Sequence, residues 1–296
     1  MSASEFVLKN IVDDLDGKLS QSGIMYRIFR RVKSTESINK KMYQKADKYR
    51  HENKKLQDLL ALRITLYFTD DIEIVHKFLK TCSNYIDESV DEKEVDTFKP
   101  TRLNLIMRVP DDLRTHMSAA ISFTNYSDLI DDTYEIQIRT ILSEGWHEVE
   151  HDLRYKYQDD WKDFLEESRL LNGIFASLES NEWAMLSLFE RLAYEHYKRE
   201  EWDSMIRNKM RIRFADSGLS DDIKSFMDNH KDVSKLLFRA NRSVVLEKVL
   251  KKGFSFPLTY DTVLHLLNHI YVRNQDLKKM EDRSLMEELD NSYGVL

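Results

Sequence analysis

The stretch LLALRITLYF, Leu59 to Phe68, constrains the fold more than any other part of the chain. It is far shorter than the roughly 20 apolar residues that a membrane helix needs. Its content of β-branched and long aliphatic residues suits a strand buried on both faces. Such a strand needs neighbours in a sheet and helices or further strands as cover. Arg63 stands in its middle. An unpaired buried charge is costly, so this arginine requires a partner.

Further segments supply the sheet. Tyr134 to Arg139 alternates strictly, with Tyr134, Ile136 and Ile138 on one face and Glu135, Gln137 and Arg139 on the other. LNLIMRV, Leu103 to Val109, reads as another strand, and Ser118 to Thr124 as a weak one. Helical periods cover the rest. Phe6, Ile11, Leu15 and Leu19 predict a helix over Glu5 to Phe29 with a break at Gly23. Ser34 or Thr35 can cap a second helix with the stripe Ile38, Met42, Ala46 and Tyr49, which leaves Lys41, Lys45 and Lys48 on a different face. Another helix runs from Thr69 to about Cys82.

Beyond Thr140 the pattern is helical. Trp146, Val149, Leu153 and Tyr157 follow a helical period, a long helix or helix pair extends from Trp161 to about Glu201, and a break falls at Gly253 to Pro257. Val263, Leu266, Leu267 and Ile270 form an apolar stripe, read as core or as an oligomer contact. Trp161, Trp183 and Trp202 are read as packing residues. The fold class is therefore α+β, a mixed β-sheet flanked by helices with an all-helical C-terminal extension. With 7 Gly and 3 Pro in 296 residues, there is little room for long irregular linkers.

Charge and cysteine content narrow the function. A net charge of −7 argues against non-specific wrapping of nucleic acid. Eleven cations nevertheless crowd Arg27 to Lys55 against three acids, a local basic face that suits a compact polyanion such as a nucleotide or is simply a solvated helix face. The single cysteine, Cys82, excludes an internal disulfide and a cysteine-based zinc site. With no signal-peptide pattern and no membrane-length apolar run, a cytoplasmic protein without a membrane partner is expected.

Two stretches compete to explain the chemistry. His147-Glu148-x-x-His151 spells the zinc-peptidase signature and puts both histidines on one helix face. It would need a third ligand, for which Glu182 is the candidate. The same residues also close a longer block.

RRVKSTESINKK, DLLALRITLYFTDDI and YEIQIRTILSEGWHEVEHDLRYKY occur in that order. They resemble the three blocks of the RelA/SpoT alarmone synthetase domain, over roughly Gly23 to Tyr157. The resemblance implies a nucleotidyltransferase-like synthetase domain over 23–158, preceded by an N-terminal helix at 1–22 and followed by a helical extension at 159–296. It implies a Mg²⁺-dependent pyrophosphokinase, moving pyrophosphate from ATP to the 3′-hydroxyl of a nucleotide acceptor, by default GDP or GTP to give (p)ppGpp.

The implied roles match the chemistry of the residue types. Arg31, Lys33, Ser37 and Lys41 surround a helix N-terminus, an arrangement that binds anions, and with Arg63 they would hold the ATP donor. Asp58 and Glu135 would hold Mg²⁺, and Glu135 would also take the proton from the acceptor hydroxyl. Gln137, Arg139, His151, Tyr155 and Lys156 would shape the remaining cleft, leaving His147 incidental. Each block also has a plainer explanation, namely a capped amphipathic helix, an Asp58–Arg63 pair and an exposed sheet face.

One part of the pattern is missing. The family's Gly-Tyr-Arg-Ser-x-His stretch, whose tyrosine stacks on guanine, corresponds here to KPTRLNLIM. Arg102 matches the arginine, but Thr101 and Leu105 stand at the tyrosine and histidine positions. Three readings stay open: Tyr85 or Tyr126 supplies the stacking; the acceptor is ATP, ADP or a tRNA 3′ end, as in toxic or phage-defence synthetases; or the site binds nucleotide silently. With about twenty residues before the first block, no metal-dependent hydrolase domain is expected. The extension is read as a regulatory or homo-oligomer element.

Overall fold

The computed structural model describes residues 1–44, 55–91 and 103–295. Its first elements are α1 (Ala3–Ser20), β1 (Tyr26–Val32), α2 (Thr35–Gln44), β2 (Leu60–Leu66), α3 (Asp70–Lys80), β3 (Tyr85–Val90), β4 (Leu103–Arg108), α4 (Arg114–Ser122), β5 (Thr133–Thr140), α5 (Ile141–Leu153) and α6 (Leu165–Lys198). Helices α7 (Trp202–Met210), α8 (Asp221–Asn229), α9 (Lys231–Arg239), α10 (Arg242–Lys252), α11 (Tyr260–Leu267), α12 (Gln275–Lys278) and α13 (Arg283–Tyr293) follow. The chain divides into two units, one of residues 1–16, 26–67 and 79–180, the other of 17–25, 68–78 and 181–296.

The first unit holds a five-stranded mixed sheet in the order β1-β2-β5-β4-β3. Only the β2–β5 pair is parallel; the other three pairings are antiparallel. Register sorts the side chains into two faces. Leu60, Leu62, Ile64 and Leu66 of β2 lie beside Ile136 and Ile138 of β5, and Leu105 and Met107 of β4 continue the row. All eight are at most 2% exposed. Val7, Leu8 and Ile11 of α1 and Met117 of α4 are buried in the same unit, with Phe6 against His116 at 4.6 Å. The opposite face is polar: Arg31, Ala61, Glu135 and Ile106 share one row, and Phe29, Arg63, Gln137 and Asn104 the next.

Two expectations are corrected, and one strand of the sheet was not expected. The first helix stops at Ser20, and Tyr26–Val32 is a strand. Helical spacing of Phe6, Ile11, Leu15 and Leu19 persuaded only as far as Gly23, whose φ of +70° turns the chain. The alternation of β1 was hidden by Arg27, Arg30 and Arg31, which face solvent. Ser118–Thr124 lies largely in helix α4, where Met117 and Ala120 are buried three positions apart, a helical spacing. Finally, β3 arises within the polar stretch after Tyr85, because an edge strand pairing only with β4 needs no apolar run. Ala46, Tyr49, Lys45, Lys48, Thr101 and Arg102 lie outside the described residues.

The second unit is helical. Ser220, Asn241, Thr259, Asn274 and Asp282 each accept a backbone N–H three residues on, capping α8 and α10 to α13. Val263, Leu266 and Leu267 are buried in it, so that stripe is core. Gly23 belongs here too; a Cβ on it would lie 2.7 Å from the Leu258 side chain. Asp71, fully buried, pairs with Arg242 at 2.6 Å. Among the described residues no helix is long and apolar enough to cross a membrane.

Candidate functional site

Two polar clusters occupy the first unit. The first begins where β1 ends. Lys33 continues the β1–β2 ladder, its N–H donating to Leu59 O at 2.9 Å. Ser34 then caps α2, accepting the Ser37 N–H at 3.2 Å, while its hydroxyl donates to Ser37 Oγ at 2.9 Å. Before β2, Leu56 and Gln57 are tied to the segment leading into β5. Leu56 N–H donates to Leu129 O, Asp131 N–H to Leu56 O, and the Thr133 hydroxyl to Gln57 O. This stitching fixes Asp58.

Lys33 Nζ and Lys41 Nζ both donate to Asp58 Oδ2, at 2.6 and 2.8 Å. Burial pushes the Asp58 carboxyl up, but the two ammonium groups outweigh it and hold it below its usual value. For Lys33, burial dominates and lowers the ammonium, against the pull of Asp58. Asp58 Oδ1 is buried without a hydrogen-bond partner. An orphaned carboxylate oxygen of this kind fits a hard cation such as Mg²⁺, which takes one or two carboxylates and leaves its other positions to phosphate oxygens and water. Arg31 is exposed, opposite Ala61 on the polar face.

The second cluster lies on the polar face itself. Gln137 Nε2 donates to Glu135 Oε1 at 2.7 Å, and Arg63 Nε donates to Gln137 Oε1 at 3.1 Å. Arg63 Nη1 also donates to Glu144 and to Glu148. Arg139 Nη1 donates to the second oxygen of Glu144 at 3.1 Å. Burial lowers the Arg139 guanidinium, and the neighbouring charge of Arg63 adds to this. For Arg63, burial pulls down, yet the two glutamates more than compensate and raise it.

Hence the arginine of β2, half-buried, found its acidic partners in Glu144 and Glu148, not in Asp58. The pairing expected between Asp58 and Arg63 is replaced by Lys33–Asp58–Lys41 on one side and Arg63–Glu144 on the other. Glu144 escaped notice in the sequence. The usable signal was that Arg63 and Arg139 together demand an acid, and α5 begins directly after β5.

The remaining candidates stand apart. His151 Nδ1 is 2.8 Å from Asp152, Lys156 Nζ donates to the same Asp152 at 2.6 Å, and Tyr155 stacks on His151 at 5.6 Å. All three are exposed, and no hydrogen bond among the described residues joins them to the Arg63 network. Tyr85 opens β3 with Lys80 above its ring, and Tyr126 precedes the turn before β5.

The zinc signature separates on folding. His147 packs against Trp146 and Phe175, at 5.5 and 6.5 Å, while Glu148 is turned to Arg63 and His151 to Asp152. Among the described residues, no three His, Cys, Asp or Glu side chains are grouped to hold a metal ion. Of the stripe read on this helix, Trp146 is buried; Val149, Leu153 and Tyr157 are exposed.

The chain is similar in sequence to known proteins. Residues 30–160 match the family model described as the region found in RelA / SpoT proteins. The GTP pyrophosphokinase YwaC of Bacillus subtilis (strain 168) is 30% identical over 169 residues, 52% of this chain and 74% of that protein. The GTP pyrophosphokinase YjbM of the same organism is 30% identical over 128 residues, 43% of this chain and 55% of its own length. The crystal structure of the small alarmone synthetase 1 from Bacillus subtilis is similar at 22% identity and a TM-score of 0.47, covering 63% of this chain and 92% of that one. This chain belongs to the RelA/SpoT family, as a GTP pyrophosphokinase-like enzyme.

Proposed function

We propose that the protein transfers pyrophosphate from ATP to the 3′-hydroxyl of a nucleotide, with a guanine nucleotide as the first acceptor to test and Mg²⁺ as the metal. The observation that carries this reading is the hydrogen-bonded chain Glu135–Gln137–Arg63, which links two neighbouring rows of the polar sheet face. YwaC and YjbM, both GTP pyrophosphokinases, support pyrophosphate transfer and a guanine nucleotide as acceptor.

In this reading, Lys33 and Lys41 leave Asp58 Oδ2 to meet the donor triphosphate, with Arg31 and the N-terminal turn of α2 at Ser37 beside them. Arg63, held at Nε and Nη1, offers Nη2 and its flat faces to the adenine nucleotide. A cation on Asp58 and Glu135 would supply charge neutralisation of the phosphates. The acceptor 3′-oxygen bonds to the β-phosphorus as the bond from that phosphorus to the α–β bridging oxygen breaks, and AMP departs. Glu135 takes the hydroxyl proton, its carboxylate oriented by the amide of Gln137. Arg139, His151, Tyr155 and Lys156 remain candidates for the acceptor side.

A second reading, in which the acceptor is an adenine nucleotide or a tRNA 3′ end, draws on Leu105. That residue stands where the family's histidine is expected, and here it is fully buried in the apolar face.

Incubation with γ-labelled ATP and Mg²⁺, offering GDP, GTP, ADP, ATP or deacylated tRNA separately, decides between them. Labelled product with a guanine nucleotide, lost in Glu135→Gln, is the expected result. Product with another acceptor selects the second reading, and no product with any acceptor counts against both.

A further inference from the structure

The glutamate of the zinc-like signature and a glutamate four residues before it contact the same nitrogen of Arg63. Their surroundings differ. The Glu144 side chain is 8% exposed and that of Glu148 is 59% exposed. Glu144 also has a second duty, since its other oxygen accepts from Arg139 Nη1 at 3.1 Å.

Two guanidinium groups lie close on the polar face because Arg139 is opposite Thr65, two positions along β2 from Arg63. Like charges in a partly buried site repel unless an anion is shared between them. Glu144 is that anion, supplied by the helix that starts one residue after β5. It also sets geometry. A guanidinium is planar, so fixing Nε on Gln137 and Nη1 on Glu144 fixes its plane. Through Arg63, the same contact holds the Gln137 amide that orients Glu135.

We propose that Glu144 is a positioning residue for the donor nucleotide, stapling Arg63 to Arg139, and that Glu148 is a replaceable rim contact. This rests on the reading above in which Arg63 meets ATP. Hydrogen bonds to a buried charged group are worth far more than an exposed ion pair, which solvent screens. The two glutamates therefore differ sharply in consequence although they touch one atom.

Calorimetric titration of the full chain with a non-hydrolysable ATP analogue tests the proposal, alongside steady-state kinetics. Glu144→Gln is expected to weaken analogue binding roughly ten- to hundredfold and to lower kcat as well as raise KM for ATP. Glu148→Gln should change binding by no more than about fivefold. Glu144→Asp, which keeps the charge, should recover part of the loss; a purely packing role would not distinguish it from Glu144→Gln.

Wild-type affinity in a folded Glu144→Gln overturns the proposal, as does an equal loss in Glu148→Gln. If Glu144→Gln does not fold, Glu144→Gln combined with Arg139→Gln removes one charge of each sign. Weakened binding in that folded double variant supports the staple, and unchanged binding overturns it. A wild-type chain that binds no adenine nucleotide overturns the donor reading and this proposal with it. Wild-type binding with an indifferent Glu144 overturns this proposal alone.

Discussion

Lys33 and Asp58 are 25 residues apart in the chain, and their side chains meet at 2.6 Å. Lys41 reaches the same oxygen from α2. A loop, a strand end and a helix thus share one carboxylate, and the other oxygen of that carboxylate is buried without a partner. This corner has consequences for stability that do not depend on any substrate.

The Asp58 carboxyl titrates below its ordinary value: burial raises it, and its hydrogen bonds from Lys33 and Lys41 lower it further than that. A depressed folded-state value means that Asp58 adds stability above the unfolded carboxylate range, and that this is lost as pH falls through the folded value. Urea unfolding of wild type and Asp58→Asn should show a gap of about 1–3 kcal/mol at neutral pH. The gap should hold down to about pH 4 and close below it. A gap independent of pH down to strong acid would contradict the ion-pair assignment.

Gly23 combines a φ of +70° with a space that a side chain cannot enter, 2.7 Å from Leu258 and 3.3 Å from the Arg213 carbonyl. Its own carbonyl accepts the Arg213 N–H at 2.8 Å. Gly23→Ala should therefore destabilise by about 1–3 kcal/mol, seen as a lowered midpoint in thermal or chemical unfolding. Unchanged stability would mean that the turn relaxes more freely than this packing allows.

Arg242 holds the fully buried Asp71 at 2.6 Å, and its Nε donates to the Met210 carbonyl. Burial pushes the Asp71 carboxyl up even with the arginine present. Arg242→Met leaves that carboxylate without its partner and should cost about 3–5 kcal/mol at neutral pH. Adding Asp71→Leu should return much of the loss in a double-mutant cycle. Simple additivity of the two changes would show that the pair is not coupled.

The two faces of the sheet should separate stability from activity. Leu62→Ala, on the apolar face, should cost about 2–5 kcal/mol of unfolding free energy. Glu135→Gln, on the other face of the adjacent strand, should abolish transfer and shift stability by less than about 1 kcal/mol. Denaturant titration and the labelled-ATP assay on the same preparations check both.

Much of this protein was written locally. The apolar run at Leu60–Leu66 and the alternation at Thr133–Thr140 determined two strands and their faces, because side-chain direction has a period of two whatever the strand pairs with. Ser34 declared the start of α2 through its own side chain. Residues with cation-binding or phosphate-binding chemistry, Lys33, Lys41, Asp58 and Glu135, could be singled out by type and by the order of three blocks.

Partnership could not be read in this way. Arg63 needed an acid, and Asp58, five residues before it, was the nearest in sequence; the fold instead gave Asp58 to two lysines and Arg63 to Glu144. β1 and β3 became strands because a neighbour offered unpaired N–H and C=O groups, a property of the assembled sheet rather than of their own residues. Likewise His147 and His151 share a helical spacing but not a site, since Trp146 and Phe175 take one ring and Asp152 the other. Local periodicity follows from backbone geometry, whereas the choice among equally suitable charged partners is made by the chain crossings that bring β2, β5 and α5 together.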